Sequence, residues 1–178
     1  VILPIRVATR ADVPAIEEVM RASMAALGSA FYDARQTASA VRYIATADPD
    51  LVDDGTYFVV EDGTRVVACG GFSTRKRLFT GTSEQAATEG SLDPAAEPAR
   101  IRAMFVHPDF ARRGLGRLIL ETAEHAAARS GFTAFALMAT LPGVPLYETC
   151  GYTPVERTLL ELPDGVTLEA VRMVKTRN

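Results

Sequence analysis

The stretch from Ile101 to Ser130 constrains the fold of this chain more than any other. Ile101 to Val106 is a short apolar run, and Pro108 ends it, because proline has no N–H to give a sheet ladder. A basic, glycine-containing turn follows, Ala111-Arg112-Arg113-Gly114-Leu115-Gly116-Arg117. Beyond it, Leu115, Leu118, Ile119, Thr122, Ala123, Ala126 and Ala127 recur at helical spacing as one mostly apolar stripe. Arg117, Glu121, Glu124, His125 and Ala128 fall outside that stripe, and Gly131 supplies a stop. Strand, tight turn and helix start bring backbone N–H groups and the positive end of a helix dipole to one point, so an anionic ligand is expected there. Two phosphate motifs are excluded. No Gly-x-x-x-x-Gly-Lys-Ser/Thr is present, and Ile119 stands where a dinucleotide fingerprint needs its third glycine.

The flanking sequence predicts strands and helices around this unit. Ile2 to Val7 reads as a first strand. Asp12 reads as the cap of a helix with Pro14 in its first turn, whose face carries Val13, Ile16, Met20, Met24 and Leu27 and which ends near Gly28. A second helix is predicted over Ala34 to Ala47, before a break at Asp48-Pro49-Asp50. Thr56 to Glu61 and Arg65 to Ser73 flank Asp62-Gly63-Thr64, a hairpin signal. Cys69 reads there as a core thiol, and Gly70-Gly71 as a bulge or a close approach of ligand. Arg75 to Arg100 is long for a connection, basic at first and then acidic and small, and reads as a solvated, partly mobile loop. Phe132 to Met138 is expected to run parallel to Ile101–Val106 in a right-handed βαβ unit. After Leu141-Pro142-Gly143-Val144-Pro145, a short helix carries Leu146, Tyr147 and Glu148 and stops at Gly151. Tyr152 to Glu156 and Leu168 to Val174 read as closing antiparallel strands.

Composition removes several classes of function. The chain has 178 residues, is 48% hydrophobic and 23% charged, and carries a net charge of −3. These values suit one globular domain and argue against nucleic acid as the main partner. Cys69 and Cys150 form no Cys-x-x-Cys pair, and with only His107 and His125 to help, no metal site is expected. No apolar run has the length of a membrane span and no signal-peptide pattern opens the sequence, so a reducing cytoplasm is the expected location.

The loop Ala111 to Gly116 resembles motif A of the GNAT N-acetyltransferases, whose pyrophosphate loop reads Gln/Arg-x-x-Gly-x-Gly/Ala. Both glycines match, at Gly114 and Gly116, while Ala111 replaces the leading Gln/Arg. A second stretch, Pro145-Leu146-Tyr147-Glu148-Thr149-Cys150-Gly151-Tyr152, resembles the family's signature of a tyrosine before a helix stop and Gly-Phe/Tyr. The order of elements also matches, so the resemblance covers essentially the whole chain, residues 1–178. Family members often carry an asparagine seven residues before the tyrosine, and this chain has Thr140 there.

The resemblance implies an α/β fold of the GNAT type. That is a central, mixed, mostly antiparallel twisted sheet with a splayed parallel strand pair and helices on both faces. It implies acetyl-CoA as co-substrate, with its pyrophosphate held by Arg112, Arg113, Gly114, Leu115, Gly116 and Arg117. Its pantetheine would lie along Met104, Phe105 and Val106 in the splay, near Thr140. It also implies direct attack by an acceptor amine on the thioester, with Tyr147 as the acid that protonates the leaving thiolate. A thiol near pKa ~8.5 and a phenol near ~10 suit that transfer. A buried tyrosine bonded to backbone is the plainer alternative for Tyr147. Phe31, Tyr32 and Tyr43 are candidates for the acceptor wall or for the core. His107 and Glu148 are the titratable groups nearest the site, and no base is legible. The reading is therefore an N-acetyltransferase acting on a small-molecule primary amine, with a homodimer as family habit. Protein N-terminal or lysine acetylation and a non-catalytic CoA-binding sensor stand as alternatives.

Overall fold

A computed structural model describes residues 2–176; Val1, Arg177 and Asn178 lie outside it. Its strands are β1 (Ile5–Val7), β2 (Tyr57–Asp62), β3 (Arg65–Ser73), β4 (Ala99–Val106), β5 (Ala134–Thr140), β6 (Thr153–Glu161) and β7 (Thr167–Thr176). They form one seven-stranded sheet in the order β1-β2-β3-β4-β5-β7-β6. Every neighbouring pair is antiparallel except β4 and β5, the parallel pair expected from the βαβ pattern.

Side chains alternate across a strand, and the sheet uses both faces. Val59 and Cys69 pack under α1 (Val13–Gly28) with Ile16, Val19 and Met20. Val60 and Ala68, their neighbours in sequence, pack on the opposite face with Leu115 and Ile119 of α5 (Leu115–Arg129). Ala123, Ala126 and Ala127 of the α5 stripe, together with Leu120 outside it, meet Phe132, Phe135 and Leu137. α2 (Ala34–Tyr43) lies beside α1 and begins at Asp33, whose carboxylate accepts from the Gln36 amide while the Gln36 side chain accepts from the Asp33 amide.

Several boundaries move from where the sequence puts them, each for a visible reason. β1 starts at Ile5, since Pro4 lacks a donor and contributes only its carbonyl, to the Glu61 amide. Asp12 does not cap α1 with its side chain. Its carboxylate accepts from the Thr9 amide at 2.7 Å and from the Arg6 guanidinium at 2.8 Å, closing a 3-10 turn at Arg10–Asp12 instead. α2 ends at Tyr43, short of Ala47. The expected break at Asp48-Pro49-Asp50 is the start of a further helix, α3 (Pro49–Asp53): Asp48 caps it on the Asp50 amide and Pro49 stands in its first turn, where proline loses no helical bond.

The long segment after β3 folds back on itself rather than running free. Arg75 bridges to Ser91, Lys76 donates to the Gly90 carbonyl, and Leu92 donates to Thr74. A single turn, α4 (Ser83–Ala86), is capped by Thr82, and the Arg77 guanidinium holds the Gln85 and Ala86 carbonyls behind it. Leu92 is buried and Phe79 packs against the α1 core.

Arg102 and Asp48 tie this segment to the sheet. Arg102, 3% exposed, donates to Asp48 at 2.8 Å and to the Thr80 hydroxyl at 3.0 Å. Burial opposes the charge on Asp48, but the Arg102 guanidinium outweighs it and holds the carboxyl below its usual range. A carboxyl with a depressed native pKa contributes stability above its unfolded value of ~3.9, and that contribution is lost as pH falls through the lower native value. Asp48→Asn should therefore cost about 3–5 kcal/mol at neutral pH, because it leaves the buried guanidinium uncompensated. Urea unfolding at a series of pH values measures this, and the gap between wild type and variant should narrow below pH ~4.

Candidate active site

β4 and β5 pair only at Ala99↔Phe135 and Arg100↔Ala136 and then part. The cause lies in β4. Between the pairs Arg102↔Gly71 and Phe105↔Cys69 it carries an extra residue, so Ala103 and Met104 together oppose Gly70. Ala103 sits at φ 50°, the left-handed region that few non-glycine residues occupy. The Tyr57 hydroxyl holds this bulge by donating to the Ala103 carbonyl at 2.6 Å. The opposing glycines are both required by space: a Cβ at Gly71 would lie 2.1 Å from the Thr56 carbonyl oxygen, and one at Gly70 would lie 2.4 Å from the Met104 sulfur.

Two cavities meet where the strands part. The first, 150 Å³, lies between Met24, Leu27 and Gly28 of α1 and Gly116 of α5, with Met104, Phe105 and Val106 along it. The second, 80 Å³, is bounded by Ile44, Thr46, Phe79 and Thr80, with Ile101 to Phe105 and Met138 along it. Met104, Phe105, Thr140 and Tyr147 line both.

Tyr147 stands on α6 (Val144–Thr149), with its ring edge against Tyr152 at a centroid distance of 5.8 Å. Gly143 leaves room for the ring, since a Cβ there would lie 2.9 Å from it. The residue is 8% exposed, and among the described residues its hydroxyl has no hydrogen-bond partner. Burial pushes the phenol above its ordinary value. By contrast Tyr152 is tied down, donating to Glu124 at 2.8 Å, and Lys175 takes the other Glu124 oxygen at 2.7 Å.

At the start of α5 the chain turns through two left-handed residues, Arg112 at φ 64° and Gly114 at φ 82°. The Leu118 amide makes a bond back to Gly114, so the amides of Leu115, Gly116 and Arg117 precede any intrahelical acceptor. Gly116 lies close against α6, where a Cβ would come within 2.9 Å of Leu146. Arg112, Arg113 and Arg117 are exposed around this turn. Arg113 covers the Phe110 ring at 4.9 Å, and Arg117 lies 3.7 Å from Glu121.

The remaining sequence candidates fall elsewhere. Tyr32 is a buried clamp: its hydroxyl accepts from the Leu141 amide at 2.9 Å and donates to the Glu169 carbonyl at 2.7 Å. Phe31 is exposed, and Tyr43 packs against the core beneath Arg42. None of the three lines either cavity; Met24, Leu27, Gly28, Ile44 and Thr46 do so instead. His107 accepts from the Arg65 guanidinium at Nε2, 2.8 Å away, and Glu148 is exposed; neither lines a cavity. Cys69 lies in the wall of the first cavity, and burial pushes its thiol up to about 12, so it is inert as a nucleophile. Arg102, in the wall of the second cavity, was missed as a site residue. The available signal was a single arginine inside an apolar run, which requires a partner if buried.

A mixed sheet opened between two parallel strands, with a glycine turn and helix start below the opening, defines an acyl-CoA transferase type of fold. The model of the acetyltransferase (GNAT) family matches residues 17–152, and the chain belongs to that family. It is therefore an acyltransferase by family. Solved structures share the fold at low identity. A GCN5-related N-acetyltransferase from Rhodopseudomonas palustris is 16% identical with a TM-score of 0.74, over 99% of this chain and 96% of that one. The PaiA N-acetyltransferase of Thermoplasma acidophilum, in complex with coenzyme A, is 13% identical with a TM-score of 0.68, over 99% of both chains. The yncA protein of Salmonella typhimurium, with its cofactor acetyl-CoA, is 18% identical with a TM-score of 0.63, over 99% of this chain and 94% of that one. No curated protein sequence matches the chain significantly. Among the described residues, no helix is long and apolar enough to cross a membrane.

Tyr32→Phe should cost about 1–3 kcal/mol, since it leaves the Leu141 amide without its acceptor and frees the turn that leads to α6. Thermal or denaturant unfolding measures the loss, and an unchanged midpoint would show that the clamp is dispensable.

Proposed function

We propose that the protein moves the acetyl group of acetyl-CoA to a primary amine of a small molecule, by direct attack in a ternary complex. The observation that carries this reading is the Tyr147 hydroxyl, which has no hydrogen-bond partner among the described residues and stands in the wall shared by the two cavities. One cavity serves the thioester arm and the other the amine, and Tyr147 stands between them.

The residues present suit acetyl-CoA. The first-turn amides of α5 and the left-handed turn before it suit a pyrophosphate, with Arg112 and Arg113 supplying the charge that Ala111 does not. Met104, Phe105 and Val106 have no strand partner on the β5 side, so their backbone offers an edge to the amides of an extended pantetheine arm. A backbone N–H in this stretch facing the thioester oxygen would contribute a few kcal/mol of transition-state stabilisation, about 3 by analogy with other oxyanion donors. Thr140 closes the opening from β5.

The acceptor reacts as the free amine. Its nitrogen attacks the thioester carbon, the carbon–sulfur bond breaks, and Tyr147 gives its proton to the departing sulfur. The tyrosinate then takes a proton from the newly acylated nitrogen, which restores the phenol and leaves an amide and a free thiol. The raised pKa of Tyr147 keeps the acid protonated through the working range. The alkaline limb of the rate should consequently be absent below pH ~10, with activity rising as the acceptor loses its proton.

Tyr147→Phe should lower kcat by about 10²–10⁴-fold, the usual worth of a positioned acid. Its affinity for acetyl-CoA should be nearly unchanged. Steady-state release of thiol and the acetyl-CoA-induced rise in melting temperature measure the two separately; ligand at about a hundred times Kd should stabilise the native state by ~2.7 kcal/mol. Unchanged turnover would remove Tyr147 from this role, and no thermal shift would remove acetyl-CoA.

A further inference from the structure

Ala103, at the β4 bulge, takes no partner in the β3–β4 register, and a side chain from two strands away receives its carbonyl. Tyr57 stands on β2, 2% exposed, and pairs in register with Gly71 of β3. Residues paired across antiparallel strands point to the same face of a sheet. Here it is the face under α1, where Tyr57 packs with Val59 and Cys69. Gly71 has no side chain to put in that place, so the phenol leans over β3 and donates to the Ala103 carbonyl at 2.6 Å.

The same bond fixes the direction of the next amide. No described peptide bond is cis, and in a trans peptide the C=O and the N–H point opposite ways. The Ala103 carbonyl is drawn toward Tyr57, on the β3 side of β4, so the Met104 N–H is turned away from β3. That is the side where β4 and β5 have parted, and Met104 lines both cavities there together with Tyr147. The Met104 side chain lies back over Gly70, where a Cβ would come within 2.4 Å of its sulfur. Ala103 is held at φ 50°, and the cost of such a backbone is of the same order as the net gain from one buried hydrogen bond. One hydroxyl therefore decides whether the bulge keeps this form. Burial pushes the Tyr57 phenol well above its ordinary value, so it remains a donor across the working range.

We propose that Tyr57 is a positioning residue for acyl transfer: its hydroxyl fixes the bulge so that the Met104 N–H faces the thioester oxygen. This rests on the acetyl-transfer reading above and specifies which amide serves it and what aims that amide. The oxygen gains negative charge as the amine attacks, so an aimed donor lowers the barrier more than it tightens binding of the resting thioester. Tyr57 lines neither cavity and acts only through the peptide that it holds.

The test reads the thioester directly. Acetyl-CoA isotopically labelled at the acetyl carbonyl is bound to the full chain without an acceptor, and its infrared carbonyl stretch is compared with that of free acetyl-CoA. The stretch should shift to lower frequency on the wild-type protein, as a hydrogen bond on the oxygen requires. Tyr57→Phe fills the same space without the bond. It should lose that shift, lower kcat about 10–100-fold and leave KM for acetyl-CoA nearly unchanged. Tyr32→Phe, which removes hydrogen bonds elsewhere, should keep the shift. A shift absent from the wild type, retained in Tyr57→Phe or lost equally in Tyr32→Phe would overturn the proposal. A Tyr57→Phe variant whose KM rises while kcat holds would overturn it as well. Should Tyr57→Phe not fold, Tyr57→Phe/Ala103→Gly replaces it, because glycine takes the positive φ without strain while the carbonyl stays unfixed. The same loss is expected there, and a retained shift overturns the assignment. Should no amine be acetylated, a shift that depends on Tyr57 keeps the assignment and retires the acetyl-transfer reading alone.

Discussion

The parting of β4 from β5 is the constraint on which the rest of the structure depends. A parallel pair this central would normally be hydrogen-bonded along its length and buried on both faces. Here two residue pairs hold it together and the remainder is open. The opening is imposed from the β3 side, where the extra residue at Ala103–Met104 bends β4 away. Gly70 on β3 leaves space for Met104 at the bend, Gly71 beside it lets β3 close on Thr56 and Tyr57, and a tyrosine hydroxyl from β2 fixes the bulge carbonyl. A bulge of this kind re-aims side chains and frees backbone groups. Both effects leave an unpaired strand edge inside an otherwise continuous sheet.

Breaking a sheet at its centre exposes polar backbone and charge to the interior, and the fold compensates with a few buried polar contacts placed around the gap. Tyr57 satisfies the bulge carbonyl. Arg102 and Asp48 neutralise each other beside it and recruit Thr80 from the long segment. On the far side, Tyr32 links the end of α1 to β7 and to the turn before α6. Each contact joins two elements distant in sequence. Tyr147 is the exception among these phenols: its ring packs against Tyr152, and its hydroxyl has no partner among the described residues.

Legibility followed the range of the interaction. The α5 stripe, the hairpin at Asp62-Gly63, the βαβ unit and the glycine turn are local patterns, and they stand where periodicity and turn chemistry put them. The mixed sheet with its splayed parallel pair also stands as the family resemblance implied. Asp48-Pro49 carried the cap and first-turn proline of a helix, yet with only five helical residues behind it the pattern was too short to stand out. Tyr32 was ambiguous because its partners, Leu141 and Glu169, are more than a hundred residues away. Arg102 was not singled out because its partner Asp48 is 54 residues away. The long segment after β3 read as a solvated, partly mobile loop for the same reason: its order comes from backbone bonds between its own ends and from Arg77, not from any repeat in its composition.

β6 is the outer strand of the sheet, nine residues with no neighbour beyond it among the described residues. Its free row of N–H and C=O groups is a template on which another extended chain could add, a common route to aggregation. Pro154 removes one donor at its start, and Glu156, Arg157 and Glu161 place charges along it, while Val155 and Leu159 stay exposed between them. The carboxylates of β6 thus guard an open border. Neutralising them would leave that border more adhesive, so the charges of β6 keep the outer strand from recruiting a neighbour.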